Sequence, residues 1–266
     1  MISFYINSNI IVQTLIATLI TFLVTALGSF VVFAFKKVNK IVLDSMLGFS
    51  AGVMIAASFF SLLNPAINGA EDLLMNSALV VSVGFVIGGL FLIISDRIIE
   101  KAMVKRNNIG NNGLKRSLML IFSVTLHNIP EGLAIGVAFG SVYKGLPNST
   151  LMGAFMLAIG VAIQNFPEGA AISLPLRRDG FSKKTSFIYG ALSGVVEPIS
   201  GILGCVLVLY IKNVLPFFLS FAAGAMIYVA VSELIPESQK NEAKNIISFF
   251  TIFGFVIMMF LDVLLG

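Results

Sequence analysis

Apolar residues run along this chain in eight long blocks, separated by short clusters of charge, asparagine, proline and glycine. Those runs predict helices near 10–35, 41–63, 77–96, 117–142, 150–176, 186–211, 214–236 and 245–265. Each is close to or longer than the roughly 20 residues that cross a bilayer as a helix. The alternation expected of strands is absent. The first block is too long for a signal peptide and has no basic residue before it. The expected fold class is therefore all-α: a polytopic integral membrane protein with eight transmembrane helices, forming one domain over residues 1–266. Segment 97–116, with its Asn/Gly stretch, is expected to be a flexible connection. Pairs of glycines four apart (Gly84/Gly88, Gly136/Gly140, Gly190/Gly194) predict close helix contacts, because small residues let backbones approach in lipid.

Composition reinforces the pattern. Of 266 residues, 58% are hydrophobic and 11% charged, against about 25% charged in soluble domains. A mean hydropathy of +0.99 excludes a soluble enzyme, a secreted disulfide scaffold and a disordered chain. The one cysteine, Cys205, permits no internal disulfide.

Charge then supplies an orientation. Of the 17 Lys and Arg, 15 fall in alternate connections, around 36–40, 97–116, 177–184 and 240–244; only Lys144 and Lys212 lie in the other set. The positive-inside rule assigns the first set to the cytoplasm, which leaves both termini outside and agrees with an even number of spans. The net charge of +4 thus reflects topology, and no nucleic-acid partner is expected. The lipid bilayer is the expected environment, in a bacterial inner or plasma membrane, and a homodimer is left open.

Against this background three carboxylates stand out: Glu131, Glu168 and Glu197 lie well inside predicted spans, as does the only histidine, His127. A charged side chain at mid-bilayer costs roughly 2.5–3.5 kcal/mol on insertion scales, so each points to function. Two of the carboxylates sit in a near-repeat. His127-Asn128-Ile129-Pro130-Glu131-Gly132 in the fourth span matches Gln164-Asn165-Phe166-Pro167-Glu168-Gly169 in the fifth. His127 and Glu131 are four apart, as are Gln164 and Glu168, so each pair shares a helix face. Asn128 and Asn165 lie at the margin of that face. Pro130 and Pro167 each remove a backbone donor and free the carbonyls of Leu126 and Ile163. Glu197-Pro198 is read as the same device in the sixth span. At about 1.5 Å of rise per residue, the two motifs, Glu197 and Met54 of the second span all come to the middle of a core about 30 Å thick.

Carboxylates, one imidazole, amide oxygens and a thioether form a mixed O/N site without thiolate, suited to divalent transition metals such as Zn, Fe and Mn. Three Glu can balance more than one divalent ion. Other readings remain for individual residues. Glu197 can be a structural pair with another span, and Met54, like most of the 11 Met, can be packing. Glu233 can be an exit-side metal ligand or a solvated interfacial carboxylate, and Asp96, Arg97 and Glu100 read as a wetted helix end.

The paired HNxPEG and QNxPEG motifs resemble the ZIP (Zrt/Irt-like) family of divalent metal transporters, in particular its bacterial GufA-like branch. That resemblance covers the whole chain. It implies a non-enzymatic transporter that moves zinc, with iron, manganese, cadmium or cobalt as other cargoes, towards the cytoplasm. The metals are cargo, and no prosthetic group is implied. It further implies a binuclear centre between the fourth and fifth spans. Met54, His127, Glu131, Gln164 and Glu168 would hold one ion, and Asn128, Glu131, Asn165, Glu168 and Glu197 the other. Two features depart from the family pattern: Gln164 stands where many members have His, and segment 97–116 has no histidine. The competing classes are an intramembrane metal-dependent hydrolase, for which one histidine is few, and a proton- or sodium-coupled carrier of another solute.

Overall fold

The computed structural model describes residues 8–34, 39–105, 112–145, 149–210, 212–240 and 242–265; the side chains of 99–100, 102–105, 112–120, 123, 127, 212 and 265 lie outside that description. The helices are α1 (Ile10–Ala34), α2 (Lys40–Ala57), α3 (Asn64–Asp72), α4 (Ser77–Lys105), α5 (Asn112–Tyr143) and α6 (Leu151–Arg178). They continue with α7 (Lys183–Ser193), α8 (Val196–Tyr210), α9 (Leu215–Val229), α10 (Ile235–Ser238) and α11 (Lys244–Leu265). Among the described residues the secondary structure is entirely helical. α2 runs on into α3, α7 into α8 and α9 into α10, so the helices form eight long segments, as the apolar blocks predict. Seven of these are long and apolar enough to cross a membrane. The eighth, α5, carries the first polar motif and at 32 residues is about 48 Å long.

Local chemistry sets the helix ends. Asn39 accepts from the amide of Ile41 at 2.9 Å, Thr150 from Gly153 at 2.9 Å and Ser182 from Thr185 at 3.0 Å, each satisfying a donor that a helix start leaves open. α6 ends where Phe181 donates back to the Leu176 carbonyl at 3.1 Å, with Gly180 at a φ of +101°, which favours glycine.

Three expectations change. The segment 97–116 is helical through 105 and again from 112, because Lys, Arg and Met are good helix formers; only 106–111 fall outside the described residues. The second span continues to Asp72 through a π-helical turn, Ser58–Leu63. The sixth span is broken at Gly194–Val195, where turn hydrogen bonds replace the helical ladder. Pro198 therefore lies in the first turn of α8, where a missing N–H is harmless, and not inside a kinked helix. Glu197 beside it gains from the positive end of the α8 dipole.

Packing divides the segments into two groups. α1 lies along α6 and α5 along α8; α2 lies along α11 and α4 along α9. Glycines set these contacts. A Cβ on Gly136 would sit 1.8 Å from the Gly201 carbonyl oxygen, and one on Gly88 would sit 1.9 Å from that of Phe221. The second group contains an internal repeat. Phe49-Ser50-Ala51-Gly52-Val53-Met54-Ile55 on α2 matches Phe221-Ala222-Ala223-Gly224-Ala225-Met226-Ile227 on α9. Gly52 abuts the Thr251 carbonyl while Gly254 abuts that of Phe49; Gly224 abuts the Phe85 carbonyl while Gly88 abuts that of Phe221. Each copy then passes through a π-helical turn, Ser58–Leu63 or Ala230–Leu234, just before Pro65 or Pro236. There the amides of Asn64 and Ile235 reach five residues back, to the Phe59 and Ala230 carbonyls.

Candidate metal centre

The two Pro-Glu-Gly motifs meet where α5 and α6 adjoin. Pro130 and Pro167 both lie inside their helices. Gly132 and Gly169 let the motifs press against neighbours: a Cβ would meet the Glu197 carbonyl oxygen at 2.3 Å and the Thr25 carbonyl oxygen at 2.0 Å, respectively. Across the junction the Gln164 amide Nε2 donates to Glu131 Oε1, and Asn128 lies beside the Glu168 carboxylate. Asn128, Glu131, Gln164, Asn165 and Glu197 are fully buried and Glu168 nearly so. Glu131, Glu168 and Glu197 lie within electrostatic reach of one another. None of the described Lys or Arg is a salt-bridge partner to any of them.

The hydrogen-bonding account of this cluster is incomplete in one direction. Asn128 Oδ1 and Nδ2, Glu131 Oε2, Gln164 Oε1, Asn165 Oδ1 and Glu168 Oε1 are buried and have no partner among the described residues. Five of these six atoms are oxygens. Each unsatisfied group costs about 1–3 kcal/mol, and a cation among them offsets that cost. Among the described residues no three His, Cys, Asp or Glu side chains converge as a group able to hold an ion. The amide oxygens of Asn128, Gln164 and Asn165 stand beside the carboxylates among the buried acceptors that lack a partner among the described residues. His127 is placed on α5 one turn before Glu131, and its side chain lies outside the described residues.

The other expected residues are distributed around this centre. Ser50 on α2 donates to the Gln164 carbonyl at 3.3 Å, which brings Met54, buried one turn further along α2, towards the second motif. Glu197 does not present free oxygens: Asn165 Nδ2 lies 3.0 and 2.9 Å from its two carboxylate oxygens, and Thr25 Oγ1 lies 3.4 Å from Oε1. Glu233, in the π-helical turn Ala230–Leu234, is half-buried and acts electrostatically on Glu168. Asp96 is more than a wetted helix end, because the Tyr228 hydroxyl donates to its Oδ2 at 3.1 Å.

Two features escape the sequence reading. α1 supplies Thr14, Thr18, Thr21, Thr25 and Ser29, all buried, in a stripe of hydroxyls towards the motif helices. Their three- and four-residue spacing in an apolar span was the available signal. The second is a cavity of about 240 Å³ lined by Ser61, Asn64, Asn68, Asp262, Ala138 and Leu157. Ala138 and Leu157 are each about two turns from the motifs, and the Ser61 hydroxyl reaches the Asp262 oxygens at 2.8 and 2.9 Å.

A membrane-embedded helical bundle, with paired carboxylates and amide oxygens converging at its interior, defines a polytopic transporter for a metal cation. Comparison with known proteins agrees. Residues 111–262 match the family model for the ZIP zinc transporter. A zinc transporter ZIP11 of Xenopus tropicalis is 38% identical over 96% of this chain and 98% of its own length. The zinc transporter GufA of Myxococcus xanthus is 33% identical over 95% and 98%, and a zinc transporter ZupT of Streptococcus mutans is 34% identical over 91% and 94%. The chain belongs to the ZIP family, which makes it a transporter of divalent metal and not an enzyme.

Proposed function

We propose that this protein carries zinc towards the cytoplasm through a binuclear centre between α5 and α6, with iron, manganese, cadmium and cobalt as further cargoes. The five buried oxygens of the two motifs that lack a partner among the described residues carry this reading, since they are all acceptors and none of the described Lys or Arg pairs with their carboxylates. Relatives named as zinc transporters support zinc as the first cargo. Met54, His127, Glu131, Gln164 and Glu168 hold one ion. Asn128, Glu131, Asn165 and Glu168 hold the second, with Glu197 completing it directly or through Asn165. Pro130 and Pro167 free backbone carbonyls at the centre, and Glu233 receives the ion on the exit side. The whole chain acts as one transport domain in the plasma membrane. Both termini are extracytoplasmic, from the distribution of Lys and Arg. The least buried spans, α4 and α11, face lipid or the second subunit of a homodimer.

The test is uptake by purified protein in liposomes, with Zn, Fe, Mn, Cd and Co in competition. Zinc is expected to be taken up and to be competed most strongly by cadmium. No uptake of any of the five would defeat the reading. Cargo preference should also follow the second motif. An amide is a weaker zinc ligand than imidazole, so Gln164→His is expected to raise the Zn:Mn uptake ratio several-fold. An unchanged ratio in that variant would remove Gln164 from the ligand set.

A further inference from the structure

We propose that α1 is part of the metal centre, with Thr25 and the Thr21 carbonyl acting as positioning groups that fix the amide of Asn165 through Glu197. The proposal rests on reading the two motifs as a metal centre and goes beyond it, since it assigns a role to a span outside both motifs.

Two donors, the Asn165 amide and the Thr25 hydroxyl, share two acceptors, the Thr21 carbonyl and the Glu197 carboxylate. Asn165 Nδ2 faces Glu197 Oε1 at 3.0 Å, Glu197 Oε2 at 2.9 Å and the Thr21 carbonyl at 3.3 Å. The Thr25 hydroxyl faces the same Thr21 carbonyl at 3.2 Å and the same Glu197 Oε1 at 3.4 Å. A backbone carbonyl only accepts, and an ionised carboxylate only accepts. The Asn165 nitrogen must therefore point at α1 and α8. Its Oδ1 is turned away from them and buried, without a partner among the described residues. Asn128, its counterpart in the first motif, has neither side-chain amide atom bonded among the described residues. One amide of the pair is held by α1 and α8, and the other lies beside the Glu168 carboxylate.

Packing shows why Thr25 occupies this place. The carbonyl of Thr25 is the atom against which Gly169 of the second motif packs, and the carbonyl of Glu197 is the atom against which Gly132 of the first motif packs. Thr25 on α1 and Glu197 on α8 thus stand in the same relation to the two halves of the centre. One position bears a carboxylate and the other a hydroxyl whose single O–H is shared between that carboxylate and the Thr21 carbonyl. Gly194, at the break between α7 and α8, leaves room for both: a Cβ there would lie 3.0 Å from Glu197 Oε1 and 3.1 Å from Thr25 Oγ1.

Outer-sphere hydrogen bonds of this kind orient ligands, and losing one typically costs 10–100-fold in metal affinity or activity. Thr25→Val, which keeps the shape and removes the donor, is expected to raise the half-saturating zinc concentration for uptake about 10-fold. Its metal-free melting temperature should stay at the wild-type value. Thr25→Ser should restore wild-type half-saturation. In an Asn165→Ala background Thr25→Val should add nothing, because the hydroxyl acts through that amide. Should Thr25→Val fold poorly, Thr25→Ala is judged by the same criteria. Wild-type half-saturation in the variant, failure of serine to restore it, or full additivity with Asn165→Ala would each overturn the positioning role. Glu168→Ala separates the two claims. If it abolishes uptake while Thr25→Val has no effect, the centre stands and only the role of α1 falls.

Discussion

Glu168→Ala is expected to reduce zinc uptake at least about 100-fold, the upper end of what outer-sphere losses alone cost. In the proposed centre Glu168 would touch both ions, and it is buried beside Asn128, so its removal would strip charge from the whole cluster. Glu131→Ala should be equally severe, since it also leaves the Gln164 amide without its acceptor. Initial rates of radiolabelled zinc entry into proteoliposomes, normalised to folded protein, are the measurement. Uptake within a few-fold of wild type in either variant would mean that ions pass elsewhere. The carboxamide replacements Glu131→Gln and Glu168→Gln keep the size of the side chain and remove the charge. Loss of uptake in these as well would identify charge, and not packing, as the requirement.

The second large effect concerns stability. Gly136→Ala is expected to destabilise the bundle by more than about 3 kcal/mol, beyond the usual range for overpacking, because the clash is with backbone. The added Cβ would lie 1.8 Å from the Gly201 carbonyl oxygen and 2.9 Å from the Cys205 amide nitrogen, so α5 and α8 would have to separate. That separation moves Glu131 on one helix away from Glu197 on the other. Thermal unfolding of the protein in detergent should show a large fall in melting temperature, or no folded protein. Gly89→Ala is the control on a neighbouring helix. Its Cβ would meet only the Gly224 carbonyl at an ordinary 3.7 Å, so the melting temperature should barely change. Similar melting of the two variants would contradict the account of close helix contacts.

What was legible in the sequence follows from the kind of signal each feature leaves. Spans leave long apolar runs, and the eight helical segments begin and end within a few residues of those runs, except where charged helix formers extend α4 and α5 and where α3 carries the second segment on to Asp72. Glu131 and Glu168 are conspicuous because lipid makes carboxylates costly, and their repeat points to α5 and α6 as the helices that bring them together. The break before Glu197 was harder to see, since Pro198 reads equally as a kink or as a first-turn residue, and only the ladder at Gly194–Val195 decides. Thr25 was invisible as a site residue for a different reason: a threonine in an apolar helix satisfies its hydroxyl on its own backbone, so nothing in the chain marks the one that also reaches Glu197. The α2 and α9 repeat was present in the letters, yet its meaning came from the matching contacts of Gly52 with Thr251 and Gly224 with Phe85. Asp262 gains significance only through its contact with Ser61, about 200 residues away.

The central claim is that the two motifs form one centre for two ions. Counting zinc bound per folded chain, by equilibrium dialysis and elemental analysis, tests it most directly. Two ions per wild-type chain and fewer than one in the Glu131→Ala/Glu168→Ala double variant are predicted. Undiminished binding in that double variant would contradict it.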